Sequence, residues 1–240
     1  MLRALRNCTG FLTVLPVGMG FRSYEELAGD AWAFPLVGAA VGMLAGAAAF
    51  VALLFLPKSI AAAVALAALL VITGLNHFDG LVDVADALMV RGSRESRLEV
   101  MHEPSAGSAG VAAGAMVLLM SYLALYEAPG MLAMLLVAEA SAKFGMLVTC
   151  YAAQRPSHRG IGAAFVSVLA GNRKRLAAGF ACYLPFLVVA WWSAPAVLLV
   201  TLALAMGMAE LAERWFGGVS GDVLGAVNEL VRLGVMLVMV

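Results

Sequence analysis

Charge is what this 240-residue chain has least of: Asp, Glu, Lys and Arg make up 12% of it, against 63% hydrophobic residues and a mean hydropathy of +0.97. A soluble domain cannot hide so much apolar surface, so the composition excludes an ordinary globular protein and points to the bilayer as solvent. Neither sign of charge dominates. The 15 basic and 15 acidic residues cancel and leave no electrostatic footprint for a nucleic acid. Cysteine is scarce as well: Cys8, Cys150 and Cys182 stand far apart, match no metal-ligand spacing and read most simply as buried thiols. There is no linker-like stretch and no internal repeat. Arg3 and Arg6, followed by an apolar run broken before Gly18, do not make a signal peptide. What remains is one membrane-embedded domain over 1–240, with 1–30 as an amphipathic segment lying at the surface.

Apolar runs of about 17–25 residues are long enough to cross a bilayer. They fall near 31–56, 60–76, 107–126, 130–150, 177–192, 195–214 and 223–240. The last is weak, because Asp222, Asn228, Glu229 and Arg232 interrupt it. The expected architecture is all-α, a polytopic integral membrane bundle of six or seven transmembrane helices. Basic residues crowd onto alternate loops: Arg3, Arg6 and Arg22; then Arg91, Arg94 and Arg97; then Arg155, Arg159, Arg173, Lys174 and Arg175; then Arg214. By the positive-inside rule those loops face the cytoplasm. Gly38, Gly42 and Gly46, Gly110 with Gly114, and Gly221 with Gly225 form GxxxG steps, expected to let helices pack closely.

On the same side lies Asn76-His77-Phe78-Asp79-Gly80-Leu81-Val82-Asp83-Val84-Ala85-Asp86. Asp79, Asp83 and Asp86 stand at i, i+4 and i+7, one face of a helix. Three stacked anions raise each other's pKa unless a cation sits among them. Hard oxygen donors favour Mg²⁺ or Mn²⁺, which often bridge carboxylates to phosphates. A solvated acidic helix end and a charged transport pathway are the competing readings. His77 abuts this site; His102 and His158 carry less information.

Arg91, Arg94 and Arg97 recur every three residues, a spacing that suits phosphate binding as well as a topology signal. Gly217-Gly218-Val219-Ser220-Gly221-Asp222 reads equally as a backbone nest for an anion and as a loop with an N-capped helix. Glu139, Lys143 and Glu210 lie inside apolar runs; Glu139 and Lys143, at i and i+4, are placed to pair.

The run Gly74–Ala87 resembles the signature of the cobalamin (5′-phosphate) synthase family, the adenosylcobinamide-GDP ribazoletransferases, which carry Gly-Leu-His-x-Asp-Gly-x-x-Asp-x-x-Asp-Gly. His77, Asp79, Gly80, Asp83 and Asp86 match, and Ala87 replaces the final glycine. Arg97-Leu98-Glu99-Val100-Met101, Leu12-Thr13-Val14-Leu15-Pro16, Phe34-Pro35-Leu36-Val37-Gly38, and Gly217–Asp222 with Asn228-Glu229 resemble further family elements in the right order. The stretch His102-Glu103-Pro104-Ser105 departs from the family's usual basic residue followed by Asp-Ser-Arg.

The resemblance implies transfer from adenosylcobinamide-GDP to α-ribazole or its 5′-phosphate, with release of GMP, at the cytoplasmic face of the cell membrane. Asp79, Asp83 and Asp86 would bind Mg²⁺ or Mn²⁺. Asp86 or Asp222 would take the proton, beside His77. Arg91, Arg94, Arg97, Glu99, Gly217, Gly218, Ser220, Gly221, Asn228 and Glu229 would contact substrate. The implied partners are these small molecules and the lipid bilayer, not nucleic acid; a homo-oligomer is compatible. A CDP-alcohol-type lipid phosphotransferase is the alternative, but Asp83-Val84 stands where its Ala-Arg pair belongs. An ion-coupled transporter would favour repeated halves and mid-membrane carboxylates.

Overall fold

The computed structural model describes residues 1–156 and 160–240, so His158 and Arg159 lie outside the described residues. The elements, in order, are α1 (Leu2–Leu12), α2 (Tyr24–Gly29), α3 (Phe34–Leu53), α4 (Lys58–Thr73), α5 (Asn76–Met89), α6 (Arg94–Met101), α7 (Ser108–Glu127), α8 (Met131–Ala152), α9 (Ile161–Leu169), α10 (Arg173–Val189), α11 (Ala194–Trp215) and α12 (Gly221–Val238). Among the described residues there is no strand; the one extended pairing is an isolated bridge between Pro156 and Val219. In lipid that is expected, since a helix satisfies its own backbone groups.

The bundle is built around α8, which is buried continuously from Val137 to Cys150. α3 lies against it at glycine spacing: Cβ atoms added at Gly38 and Gly42 would collide with the Glu139 and Leu135 carbonyl oxygens. With no hydrophobic drive between helices in lipid, this close backbone approach is what dispersion needs. Gly110 and Gly114 serve likewise, against Val82 and Phe78 of α5. Of Gly221 and Gly225 only Gly225 is a close contact, against the His77 carbonyl; nothing lies within 4 Å of a Cβ at Gly221.

The span count differs from the expectation of six or seven. Ala31–Leu53, Ser108–Glu127, Met131–Ala152 and Trp191–Trp215 are each long and apolar enough to cross, and α4 with α5 makes a fifth only if the bent pair counts as one span. Helices do stand where the other two spans were expected. But α10 has 17 residues, opens with Arg173-Lys174-Arg175 and contains Pro185. At about 1.5 Å per residue it falls short of a bilayer core of about 30 Å. α12 keeps its charges inside the protein, and most of its surface is covered. The chain is thus a multi-pass membrane protein in which, among the described residues, four helices, or five segments with the bent pair, are long and apolar enough to cross; six or seven spans are not confirmed.

The two ends of the bundle differ in chemistry. At one, Trp191 and Trp192 are exposed and Lys58 sits 5.8 Å over the Tyr126 ring, as in an interfacial aromatic belt. At the other, α2 packs on α9, α6 on α5, and the loop before α12 on residues 155–156. The surface segment expected over 1–30 contains α1 and α2, joined by an ion pair between Arg3 and Glu26.

Candidate active site at the helix ends

The site begins with a bend. Gly74 and Leu75 both adopt left-handed backbone (φ 65° and 62°), and α5 leaves α4 at 91°. Gly74 takes that conformation freely; Leu75 does so at a cost of about 1–2 kcal/mol. A side chain at Gly74 would also strike Val14, 2.5 Å from the new Cβ. The bend takes α5 off the α4 axis and lays it against the start of α12.

The crossing of α5 and α12 is glycine on backbone. A Cβ at Gly80 would lie 2.6 Å from the Asp222 carbonyl oxygen, and one at Gly225 would lie 2.9 Å from that of His77. This approach brings residues 143 positions apart in sequence to one place. Asp79, Asp83 and Asp222 line a common cleft of about 330 Å³ with His102 and Glu103. Burial, then Asp79, Asp222 and Asp86, push the Asp83 carboxyl up to about 6, with His102 acting against them. The cleft therefore holds negative charge in excess of what its own residues balance.

Asp86 is held differently. Its Oδ2 accepts from the Gly107 N–H (2.7 Å) and its Oδ1 from the Gly110 N–H (2.8 Å), which caps the start of α7. Glycine is needed at both positions, because a Cβ would collide with the carboxylate. Among the described residues, no group of three His, Cys, Asp or Glu side chains is arranged to hold a metal ion. The donor chemistry is nevertheless of the kind that suits a divalent cation: Asp79 and Asp83 offer hard oxygens on one cleft, and a cation would offset the neighbouring carboxylates that help raise the Asp83 carboxyl.

His77 faces the other way. It is buried, its Nδ1 has no partner among the described residues, and it lines a second cavity of about 350 Å³ that also touches Asp222. Burial, with Lys143 and Arg232 behind it, holds its imidazole well below the usual range, so it is neutral. The phenyl rings of Phe11 and Phe165 complete this cavity, and no local motif marked them.

The remaining expected site residues scatter. Arg97 lies over the Trp215 ring at 4.5 Å and donates to the Gly92 carbonyl (2.8 Å), while Arg94 packs on Gly217. Arg91 and Glu99 are exposed and line neither cavity. Of the two readings of the Gly217–Asp222 loop, the capped helix accounts for more of its groups: the Gly218 N–H donates to the Ala212 carbonyl and the Val219 N–H to that of Arg155. Gly217 (φ 82°) makes a turn, and Gly218 permits close contact with Pro156. Ser220 caps α12, its Oγ accepting from the Val223 N–H (3.2 Å) and donating to Asp222 (3.3 Å). Gly221 lines the His77 cavity. Asn228 and Glu229 are both enclosed in an ion network with Glu139, Lys143 and Arg232, and neither lines the acidic cleft or the His77 cavity. Burying those charges in a membrane bundle demands partners, and α8 supplies them. Glu210 pairs with Arg214 at the surface (2.5 Å).

The profile of the cobalamin-5-phosphate synthase family matches residues 4–240. The chain belongs to that family. Proteins named adenosylcobinamide-GDP ribazoletransferase are similar to it along their whole length. The one from Pyrococcus abyssi is 34% identical over 237 residues, covering 98% of this chain and 97% of the relative. The one from Thermococcus kodakarensis is 35% identical with the same coverage. The bacterial one from Geotalea daltonii is 33% identical, covering 96% and 94%. No solved structure matches the chain significantly. Family membership gives a reaction, the ribazole transfer of cobalamin synthesis, against which the Asp79–Asp83–Asp222 cleft can be read.

Proposed function

We infer that this protein joins adenosylcobinamide-GDP to α-ribazole, or to its 5′-phosphate, and releases GMP. The family match over residues 4–240 carries the reading. A ribose hydroxyl of the acceptor attacks the phosphorus that bears the cobinamide. The new P–O bond forms as the bond to the bridging oxygen breaks; that oxygen leaves with GMP, and the hydroxyl proton passes to a carboxylate. Such a transfer needs positioning and charge neutralisation more than a covalent nucleophile. Asp79 and Asp83 would hold Mg²⁺ or Mn²⁺, which supplies charge neutralisation at the pyrophosphate. Of the two candidate proton acceptors, Asp222 is favoured: it borders both cavities, whereas both oxygens of Asp86 already accept backbone N–H groups.

The test is release of GMP from adenosylcobinamide-GDP by purified protein, with products identified by mass spectrometry for each acceptor. GMP release that requires an acceptor and yields the cobalamin product is expected. Inertness toward both acceptors, or transfer to a lipid alcohol, overturns the reading.

Asp222→Asn separates chemistry from local structure. Ser220 caps α12, and Asn keeps a side-chain oxygen able to accept from the Ser220 hydroxyl, so a purely structural role predicts near-normal kinetics. Loss of the proton acceptor predicts a fall in kcat of about 10²-fold or more in a normally folded protein.

The acidic cleft belongs, on this reading, to the cytoplasmic face of the cell membrane, the side assigned by the basic loops. Ser93→Cys should react with a membrane-impermeant maleimide only after cells are permeabilised. Labelling in intact cells reverses the orientation.

A further inference from the structure

Two cavities meet at Asp222, and the acidic cleft accounts for one of them. The other, of about 350 Å³, has a mixed lining: Asp222, His77 and Asn76 are polar, while Phe11, Phe165, Ile161 and Met146 are apolar. The Phe11 and Phe165 rings stack with centroids 5.5 Å apart, and Phe34 backs both at 6.3 and 5.6 Å. Such a wall suits the face of a flat ring. One of the polar groups is anomalous. His77 is only 7% exposed, yet among the described residues its Nδ1 has no hydrogen-bond partner. A buried unpaired polar group costs about 1–3 kcal/mol, so a site that retains one calls for a partner from outside the chain.

We propose that this cavity binds the heteroaromatic base of the nucleoside acceptor, with the His77 imidazole as its polar partner and Asp222 at the ribose. This rests on the reaction proposed above and assigns its acceptor side. A nucleoside joins a flat, largely apolar base to a polyhydroxylated sugar, and the lining offers both kinds of surface. The base would lie against the phenylalanines with the ribose at Asp222, which also borders the cleft assigned to the phosphates. A corrin ring system is too large for the volume. A guanine would turn its amide and amino edge toward Phe, Ile and Met side chains, leaving donors and acceptors unpaired. The benzenoid edge of a benzimidazole carries no such groups.

Phe165→Leu removes the ring and keeps an apolar side chain; Ile161→Trp fills the cavity. Each should raise KM for α-ribazole at least about tenfold and leave KM for adenosylcobinamide-GDP within about twofold. In wild-type protein, free 5,6-dimethylbenzimidazole should inhibit competitively against α-ribazole and not against the GDP-activated corrinoid, a result that depends on no variant folding. Competition against the corrinoid, or an unchanged acceptor KM in both variants, overturns the assignment. Failure of wild-type protein to release GMP with either acceptor would instead sink the reaction itself, so the two failures are told apart.

Discussion

Asp83→Ala lowers the rate of product formation by at least about 10²-fold, the scale seen when a main electrostatic contributor to the transition state is removed, and Asp79→Ala does the same. Both carboxylates line one cleft with Asp222. Excess EDTA abolishes activity in the wild type, and added Mg²⁺ or Mn²⁺ restores it. Full activity of Asp83→Ala, or of wild type in EDTA, removes the metal from the reading. The pH dependence gives a second readout. The Asp83 carboxyl is raised from 3.8 to about 6 in the folded protein, so in metal-free protein it contributes stability that is complete below about 3.8 and is lost as pH rises through about 6. Metal uptake has the opposite sign: it strengthens as pH rises through about 6, because the ligand must shed its proton. Denaturation of EDTA-treated protein between pH 4 and 8 should show the first trend, and Asp83→Asn should flatten it. Asp86→Ala has a different signature. Its loss of two N–H partners at the start of α7 is worth about 0.5–2 kcal/mol of helix capping, so it lowers stability as well as rate.

The division between what was legible in the sequence and what was not follows sequence distance. The grouping of Asp79, Asp83 and Asp86 is a short-range fact, set by helical spacing. The convergence of Asp222 on them rests on glycines at two distant positions, Gly80 and Gly225, and the basic loops already placed both segments on one side. The GxxxG reading held for α3 against α8 because a small residue has one consistent use in lipid. The Gly217–Asp222 loop reads two ways because a glycine-rich loop looks the same whether its N–H groups are free or spent on neighbouring carbonyls, as at Gly218 and Val219. The enclosure of Asn228 and Glu229 was hidden for a related reason. Asn228 accepts from Lys143 of α8, 85 residues away, while Glu229 pairs with Arg232 on α12 itself, and no motif distinguishes a buried ion network from a substrate contact. The Phe11–Phe165 cavity left no trace, since a phenylalanine in an apolar run reads as core.

Arg232→Met destabilises the protein by about 3–5 kcal/mol, the cost of removing one partner from a buried charge cluster. Arg232 is fully enclosed and bridges α12 to α8 through Glu139 (3.4 Å), while also pairing with Glu229 one turn away. Lys143 completes the cluster, donating to Glu139 and to the Asn228 side-chain oxygen, both at 2.7 Å. Two acids and two bases balance, so the cluster is neutral as a whole. Removing Arg232 leaves the buried Glu229 carboxylate with the Asn228 amide but without its cation. The double change Glu229→Gln/Arg232→Met takes out one charge of each sign and leaves Glu139 with Lys143, so it should be less damaging than Arg232→Met alone. Thermal denaturation in detergent of wild type, Glu229→Gln, Arg232→Met and the double variant completes the cycle and isolates the coupling. Additive losses would mean that these side chains act by packing and not as a charge network. The position of the cluster gives the result a reach beyond stability. Lys143 and Arg232 act electrostatically on His77, and α12 carries Asp222 into the cleft on its first turn. A cluster that fails should therefore release the α5–α12 crossing, and the double variant should recover acceptor turnover together with its stability.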